Sequence, residues 1–216
     1  MSEPIRDLGS STPAGRRARY ELVILAASAG GLQAIRRVLA TLPPEFSTPI
    51  AVLLHRTPEK SSRLAEILAR SCSFPVHTAI DGEGLLAGTV YVAPPDVHLL
   101  VDENRRLRLE DGRRINFLRS SAEPLLRSAA HALHGRVIAV VLTGGGSNGA
   151  AAVRDVKALG GTVIAQDEAT SQCWGMPRAA IETGAVDLIL PLDEIAPTLT
   201  KLTMNQPDSQ LAPATA

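Results

Sequence analysis

The sequence predicts an α/β protein of three layers (αβα), with a doubly wound, mainly parallel sheet and an antiparallel hairpin. Predicted strands at residues 22–27, 49–54 and 136–142 are almost continuously apolar, which is typical of strands covered on both faces of a parallel sheet. The first and third of them run into glycine-rich turns, after which apolar residues recur at helical spacing. Segments 96–101 and 106–109 alternate around an Asp-Glu-Asn turn, which predicts a hairpin that makes part of the sheet antiparallel.

Turn residues and apolar spacing predict the other elements of the chain. Further strands are expected at residues 74–79, 88–95, 162–165 and 186–190. Helices are expected at residues 32–42, 57–70, 122–133, 150–159, 177–183 and 193–202. Because strands alternate with helices, helices are expected on both faces of the sheet.

The length and hydrophobicity of the chain favour a single domain. A chain of 216 residues, of which 45% are hydrophobic, can bury one large core. We expect that domain over residues 20–202. Residues 1–19 and 203–216 are polar and without hydrophobic periodicity, so we predict a disordered lead-in and a flexible C-terminal tail.

The composition argues against several classes of protein. Lys and Arg number 22, as do Asp and Glu, and 3% of residues are aromatic, so neither charge nor stacking favours binding to nucleic acid. No apolar run approaches the roughly 20 residues that span a bilayer, and a secretory signal is absent. Cys72 and Cys173 lack metal-ligand spacing. We therefore expect a cytoplasmic protein with reduced thiols, no membrane insertion, no metal and no organic cofactor.

Ser28 lies on the turn that links the first predicted strand to the first helix. This turn puts its hydroxyl beside the free N–H groups at the start of the helix, where negative charge is stabilised. Ser28 is therefore a candidate nucleophile, phosphate contact or helix N-cap. The turn alone favours the N-cap, because serine is a preferred residue there.

Two other polar features are expected at the same edge of the sheet. His55 ends the second predicted strand, and the loop TGGGSNG at residues 143–149 follows the third. The carboxyl ends of parallel strands share one edge, where ligands and catalytic groups collect in open α/β sheets. Two chemistries could use this edge, namely phosphate binding and acyl transfer.

The glycine turns carry no complete phosphate-binding motif. They lack both the Gly-x-Gly-x-x-Gly spacing and the Gly-Lys-Ser/Thr of a P-loop. Acyl transfer would need a serine nucleophile, a histidine base, a third group that orients the histidine, and backbone N–H groups as an oxyanion hole. The turn is not the Gly-x-Ser-x-Gly of α/β-hydrolases, so a lipase-type site is not expected.

Six stretches, in order, resemble the catalytic domain of the CheB family of chemotaxis protein-glutamate methylesterases. They are residues 27–31 (ASAGG), 54–56 (LHR), 81–83 (DGE), 91–98 (YVAPPDVH), 142–150 (LTGGGSNGA) and 175–181 (GMPRAAI). The resemblance covers residues 21–202 and implies hydrolysis of glutamate γ-methyl esters on methylated chemoreceptor helices, with release of methanol. It also implies deamidation of glutamines on the same helices.

The resemblance also implies the roles of individual residues. Ser28 matches the nucleophile and His55 the base, and the backbone N–H groups of Ala29 and Gly145 match the oxyanion hole. The third position is normally aspartate, and this chain has Asn148. An amide can orient a histidine but does not stabilise an imidazolium as a carboxylate does, so we expect weakened activity.

Other departures from the family pattern affect the site and its control. The family usually has Thr, Met and Gln where this chain has Ala29, Gly145 and Leu54. Asp167 or Glu168, at a neighbouring strand end, could supply the missing carboxylate, whereas Asp155 is expected to be too far along its helix.

Family members usually carry an N-terminal receiver domain, for which residues 1–19 are too short. We therefore expect constitutive activity or control by a separate regulatory protein. The alternative is a catalytically weak or inactive relative that acts as a binding module in receptor signalling.

Overall fold

The computed structural model describes residues 20–55, 63–111 and 121–204. The predicted lead-in, the tail beyond residue 204 and the first part of the helix predicted at 57–70 lie outside these residues. The strands are β1 (Leu22–Ala27), β2 (Ile50–Leu54), β3 (Val76–Thr78), β4 (Val90–Val92), β5 (His98–Val101), β6 (Leu107–Glu110), β7 (Val137–Val141), β8 (Thr162–Gln166) and β9 (Leu188–Leu190). The helices are α1 (Gly31–Thr41), α2 (Leu64–Ala69), α3 (Ala122–Ala132), α4 (Ala150–Ala158), α5 (Gly175–Ile181) and α6 (Leu192–Met204).

The central sheet, as described, has seven strands in the order β3-β4-β2-β1-β7-β8-β9, and every pair in it is parallel. The chain winds outward from β1 in one direction through β2, and later returns to the other side of β1 through β7. The predicted doubly wound α/β fold is confirmed. In such a sheet, the crevice where the winding reverses is the usual site for a ligand, and here it lies beside the carboxyl end of β1.

Strand β1 is covered on both faces, since each of its six residues is at most 1% exposed. Leu22, Ile24 and Ala26 pack in a core with α3, α4 and α5. The alternate residues, Val23, Leu25 and Ala27, pack in a second core with α1, α2 and α6. The continuous apolar run therefore has the two-sided burial that the sequence predicts.

The hairpin β5–β6 is antiparallel as expected, but it forms a separate two-stranded sheet. The expectation that it makes part of the main sheet antiparallel is wrong. Its alternating sequence provides a single apolar face, which buries Leu99, Val101 and Leu107 in the core shared with α3. A strand with one apolar face suits this outer position better than a sheet covered on both sides.

The element boundaries differ from the sequence expectations by a few residues at most sites. Helix α5 begins at Gly175, and α6 continues to Met204. Helix α3 begins at Ala122, as expected, and its N-cap is Ser121, whose hydroxyl accepts a hydrogen bond from the Glu123 N–H. No helix within the described ranges combines the length and apolar character that crossing a bilayer requires.

Candidate active site

The first turn is shaped by two glycines with different functions. Gly30, at φ 78°, occupies the left-handed region and is the N-cap of α1. A Cβ on Gly31 would lie 2.4 Å from the Ala27 Cβ and 2.7 Å from Leu54 Cδ1, so only glycine allows the helix to start this close to β1 and β2. The turn thereby presents Ser28 at the carboxyl edge of the sheet.

Ser28 does not cap the helix, so the N-cap interpretation favoured by the turn alone is wrong. Gly30 is the N-cap, and no side-chain capping bond is made at this helix start by the residues that the structure describes. The Ser28 carbonyl accepts a hydrogen bond from the Gly31 N–H at 2.8 Å, which closes the turn through the backbone. The Ser28 hydroxyl remains available for another partner.

That partner is His55. The parallel register pairs Ala27 with Leu54, and the His55 N–H donates to the Ala27 carbonyl at 2.8 Å, which sets the two side chains next to each other. Ser28 Oγ lies 3.2 Å from His55 Nδ1. This distance is at the upper end of the range over which a serine nucleophile and its base form a hydrogen bond, as is common in structures without substrate.

Burial lowers the pKa of His55 below its ordinary value, because desolvation disfavours the imidazolium. Among the residues that the structure describes, no carboxylate forms an ion pair with His55. The imidazole is therefore neutral at neutral pH, as a general base must be.

The glycine loop after β7 lies directly against the turn that carries Ser28. The Ser28 N–H donates to the Thr143 carbonyl at 3.0 Å. A Cβ on Gly144 would lie 2.9 Å from the Ser28 Cβ and 2.3 Å from Met176 Sδ, so this position also requires glycine. Gly145 is exposed, and a Cβ there would meet no atom within 4 Å. The space above Gly145 is therefore open.

The N–H groups of Ala29 and Gly145 donate no hydrogen bond to any described residue. Both residues are exposed at the edge that carries Ser28. Free backbone donors beside a serine are the components of an oxyanion hole.

Asn148 is buried, and two donors fix its orientation. Ser121 Oγ and the Ala122 N–H each donate to Asn148 Oδ1 at 2.9 Å, so the oxygen faces the start of α3. A backbone N–H requires an acceptor, and the reversed amide would put a donor there instead. Asn148 Nδ2 is buried and has no hydrogen-bond partner among the described residues. Within the described parts of the chain, no hydrogen bond joins Asn148 to His55.

Asp155, which we expected to be too distant, and Asp167, a candidate replacement carboxylate, both bond to other residues. Asp155 Oδ2 accepts from Arg127 Nε at 2.7 Å, and Asp167 Oδ1 accepts from the Thr170 N–H at 3.0 Å. Glu168 is exposed, and no ion pair between it and His55 occurs in the described ranges. The side-chain contacts therefore do not support the expectation that Asp167 or Glu168 supplies the missing carboxylate.

Two residues that the sequence did not single out connect the loops of the site. Thr143 Oγ1 donates to the Ala29 carbonyl at 3.0 Å and accepts from the Cys173 N–H at 2.9 Å. Gln166, fully buried at the end of β8, accepts from the Thr143 N–H at 2.9 Å and donates to the Thr170 carbonyl at 2.8 Å. The sequence signal for Gln166 was its position directly after the predicted strand 162–165, at a strand end of the same edge.

A serine–histidine pair at the carboxyl edge of a parallel α/β sheet, with free backbone donors beside the serine, resembles part of the site of serine hydrolases. No group of metal-ligating side chains occurs within residues 20–55, 63–111 and 121–204. The chain belongs to the CheB methylesterase family, whose model matches residues 23–199.

Curated relatives and a solved structure agree with this assignment. The chain is 44% identical over 199 residues to "protein-glutamate methylesterase/protein-glutamine glutaminase 2" of Anaeromyxobacter dehalogenans, covering 92% of this chain and 58% of that relative. It is 36% identical over 186 residues to "Putative protein-glutamate methylesterase/protein-glutamine glutaminase" of Leptospira interrogans serovar Lai, covering 86% of this chain and 96% of that relative. The crystal structure of the Thermotoga maritima CheB methylesterase catalytic domain superimposes with a TM-score of 0.82 at 35% identity, covering 85% of this chain and 99% of that one.

Proposed function

We propose that this chain hydrolyses glutamate γ-methyl esters on the cytoplasmic helices of methylated chemoreceptors. The observation that carries the proposal is the 3.2 Å approach of Ser28 Oγ to His55 Nδ1 at the edge where the winding of the sheet reverses. The family and the names of the relatives support a protein glutamate methyl ester as the substrate class. Such a substrate requires a cytoplasmic location.

The reaction proceeds in two steps of acyl transfer. His55 takes the proton of Ser28 as Oγ attacks the ester carbonyl, and the oxyanion that forms is held by the Ala29 and Gly145 N–H groups. His55 then gives this proton to the departing methoxide oxygen, so that methanol leaves and an acyl-serine remains. Water, activated by His55, hydrolyses this ester to a glutamate carboxylate and restores Ser28. A glutamine substrate follows the same steps with ammonia as the leaving group, which is the deamidation reaction.

Asn148 is the proposed third member, and its fixed orientation defines how it would act. Since Oδ1 is occupied, only Nδ2 is free to donate to His55. An imidazole that accepts at Nε2 carries its proton on Nδ1, which faces Ser28 and then cannot take the serine proton. The productive tautomer is therefore disfavoured. In the Ser-His-Asp proteases, a change of the aspartate to asparagine lowers turnover about 10⁴-fold for this reason.

The same observation favours a second candidate function. With a disfavoured tautomer, the chain could keep the fold and bind a receptor or a separate regulatory protein with little turnover. The two functions differ in whether Ser28 is chemically competent.

Methanol release from a methylated receptor fragment distinguishes them. We expect release by the wild-type protein that is lost in Ser28→Ala and increased in Asn148→Asp. Release at background level by both wild-type protein and Ser28→Ala would instead favour the binding function. In that case, activity restored by Asn148→Asp would identify the amide as the cause.

A further inference from the structure

Gln172 lies on the segment between β8 and α5 that packs against the nucleophile turn. The next residue, Cys173, bonds through its N–H to Thr143 Oγ1, whose hydroxyl donates to the Ala29 carbonyl. The Gly144 N–H donates to the Cys173 carbonyl at 2.8 Å. The backbone beside Gln172 is thus fixed to both loops that carry the proposed catalytic groups.

The side chain of Gln172 covers Gly30. A Cβ added to Gly30 would lie 2.5 Å from Gln172 Oε1 and 2.8 Å from Gln172 Cβ. The carboxamide therefore occupies the surface of the turn two residues after Ser28 and one residue after the proposed oxyanion donor of Ala29.

The hydrogen-bonding groups of this carboxamide are unused. Gln172 is exposed, and its side chain forms no hydrogen bond with another residue in the described part of the chain. Gln166, on the same side of the site, differs because both ends of its buried carboxamide are bonded. Gln166 stabilises the loops, whereas Gln172 presents two N–H donors and an acceptor to solvent.

We infer that Gln172 is a substrate-positioning residue, which hydrogen-bonds a protein substrate beside the scissile γ-ester or γ-carboxamide. This inference rests on the proposed function. A glutamyl side chain that reaches Ser28 from a helix brings neighbouring polar side chains of that helix close to Gly30, where the carboxamide can donate to them or accept from them. A small ester has none of these neighbouring side chains, so its reaction reports on Ser28 without them.

The test compares two substrates in the full-length protein. Gln172→Met keeps the length of the side chain and removes its hydrogen bonds. Lys201→Met is the control, because Lys201 is an exposed polar residue in the last turn of α6. Steady-state methanol release from a methylated receptor fragment gives kcat and KM, and acylation by p-nitrophenyl acetate reports the reactivity of Ser28 alone.

For Gln172→Met we expect kcat/KM on the receptor fragment to fall about 3- to 10-fold, mainly through KM, because one neutral hydrogen bond is lost. Acylation by the small ester, the thermal midpoint and all parameters of Lys201→Met should remain at wild-type values. Unchanged kcat/KM on the receptor fragment would overturn the inference. An equal loss on both substrates with a lower midpoint would also overturn it, since that pattern indicates a structural role. If wild-type protein shows no Ser28-dependent release from the fragment, the proposed function fails and the inference falls with it.

Discussion

The change of Asn148 to aspartate tests the orientation of this residue through stability. A carboxylate keeps the acceptor that faces Ser121 Oγ and the Ala122 N–H, each at 2.9 Å, and replaces the unpartnered Nδ2 with a second oxygen. Hydrogen bonds to a charged acceptor stabilise by about 1 kcal/mol more than neutral ones. Two such bonds, at the N-terminus of α3, therefore add about 2 kcal/mol to the free energy of unfolding when the introduced carboxyl is ionised.

The sign of the pH dependence follows from these donors. They hold the pKa of the introduced carboxyl below its unfolded value, so the added stability is present above the unfolded pKa of about 3.9 and is lost as the pH falls through the folded pKa. The thermal midpoint of Asn148→Asp, relative to wild type, should therefore be about 4–8 °C higher at pH 7 than at pH 3.

Thermal unfolding followed by circular dichroism at the two pH values measures this difference. Asn148→Ala is the matched control, which removes the acceptor and should lower the midpoint by a similar amount at both pH values. A relative midpoint for Asn148→Asp that is lower at pH 7 than at pH 3 would refute the reasoning. It would mean that the two donors do not offset the cost of burying the charge at this position.

Three further predictions concern the rest of the site. Burial lowers the pKa of His55, so the imidazole titration followed by NMR should have its midpoint below pH 6.5. The acid limb of the kcat/KM profile should fall at the same pH, and a midpoint above 6.5 in either measurement would contradict this. Gly31→Ala should destabilise the protein by about 1–3 kcal/mol in urea unfolding, since its Cβ would overlap Ala27, and an unchanged midpoint would count against the packing described. Thr143→Val should destabilise by about 1–3 kcal/mol and also lower the acylation rate, because the hydroxyl joins Ala29 to Cys173; an unaltered rate would show that the two loops are held by other contacts.

The sequence predicted the parallel sheet because strands such as β1 are apolar throughout, which is a local property. It did not predict that β5–β6 would form a separate sheet, because the packing of the Leu99 face against α3 depends on contacts between distant segments. It also favoured Ser28 as an N-cap by residue preference, whereas the positive φ of Gly30 displaces the serine from that position.

The candidate site was predictable in so far as residues at strand ends share one edge. Ser28 and His55 are adjacent because parallel pairing brings successive strand ends together. The orientation of Asn148 depends on donors from Ser121 and Ala122, which lie 27 and 26 residues away in sequence. No pattern along the chain encodes that contact. The position of Gln172 over Gly30 likewise depends on a loop that only the tertiary fold brings close.

The most direct measurement of the central claim is the covalent modification of Ser28 by a fluorophosphonate, followed by intact mass and peptide mapping. The account predicts a single adduct, located on Ser28, whose rate of formation falls at least about 100-fold in His55→Gln because the base is lost. Gln keeps a hydrogen-bonding side chain at that position, so the fold is expected to persist. An adduct on another serine, or modification of Ser28 at an equal rate in His55→Gln, would contradict the claim that these two residues act as nucleophile and base.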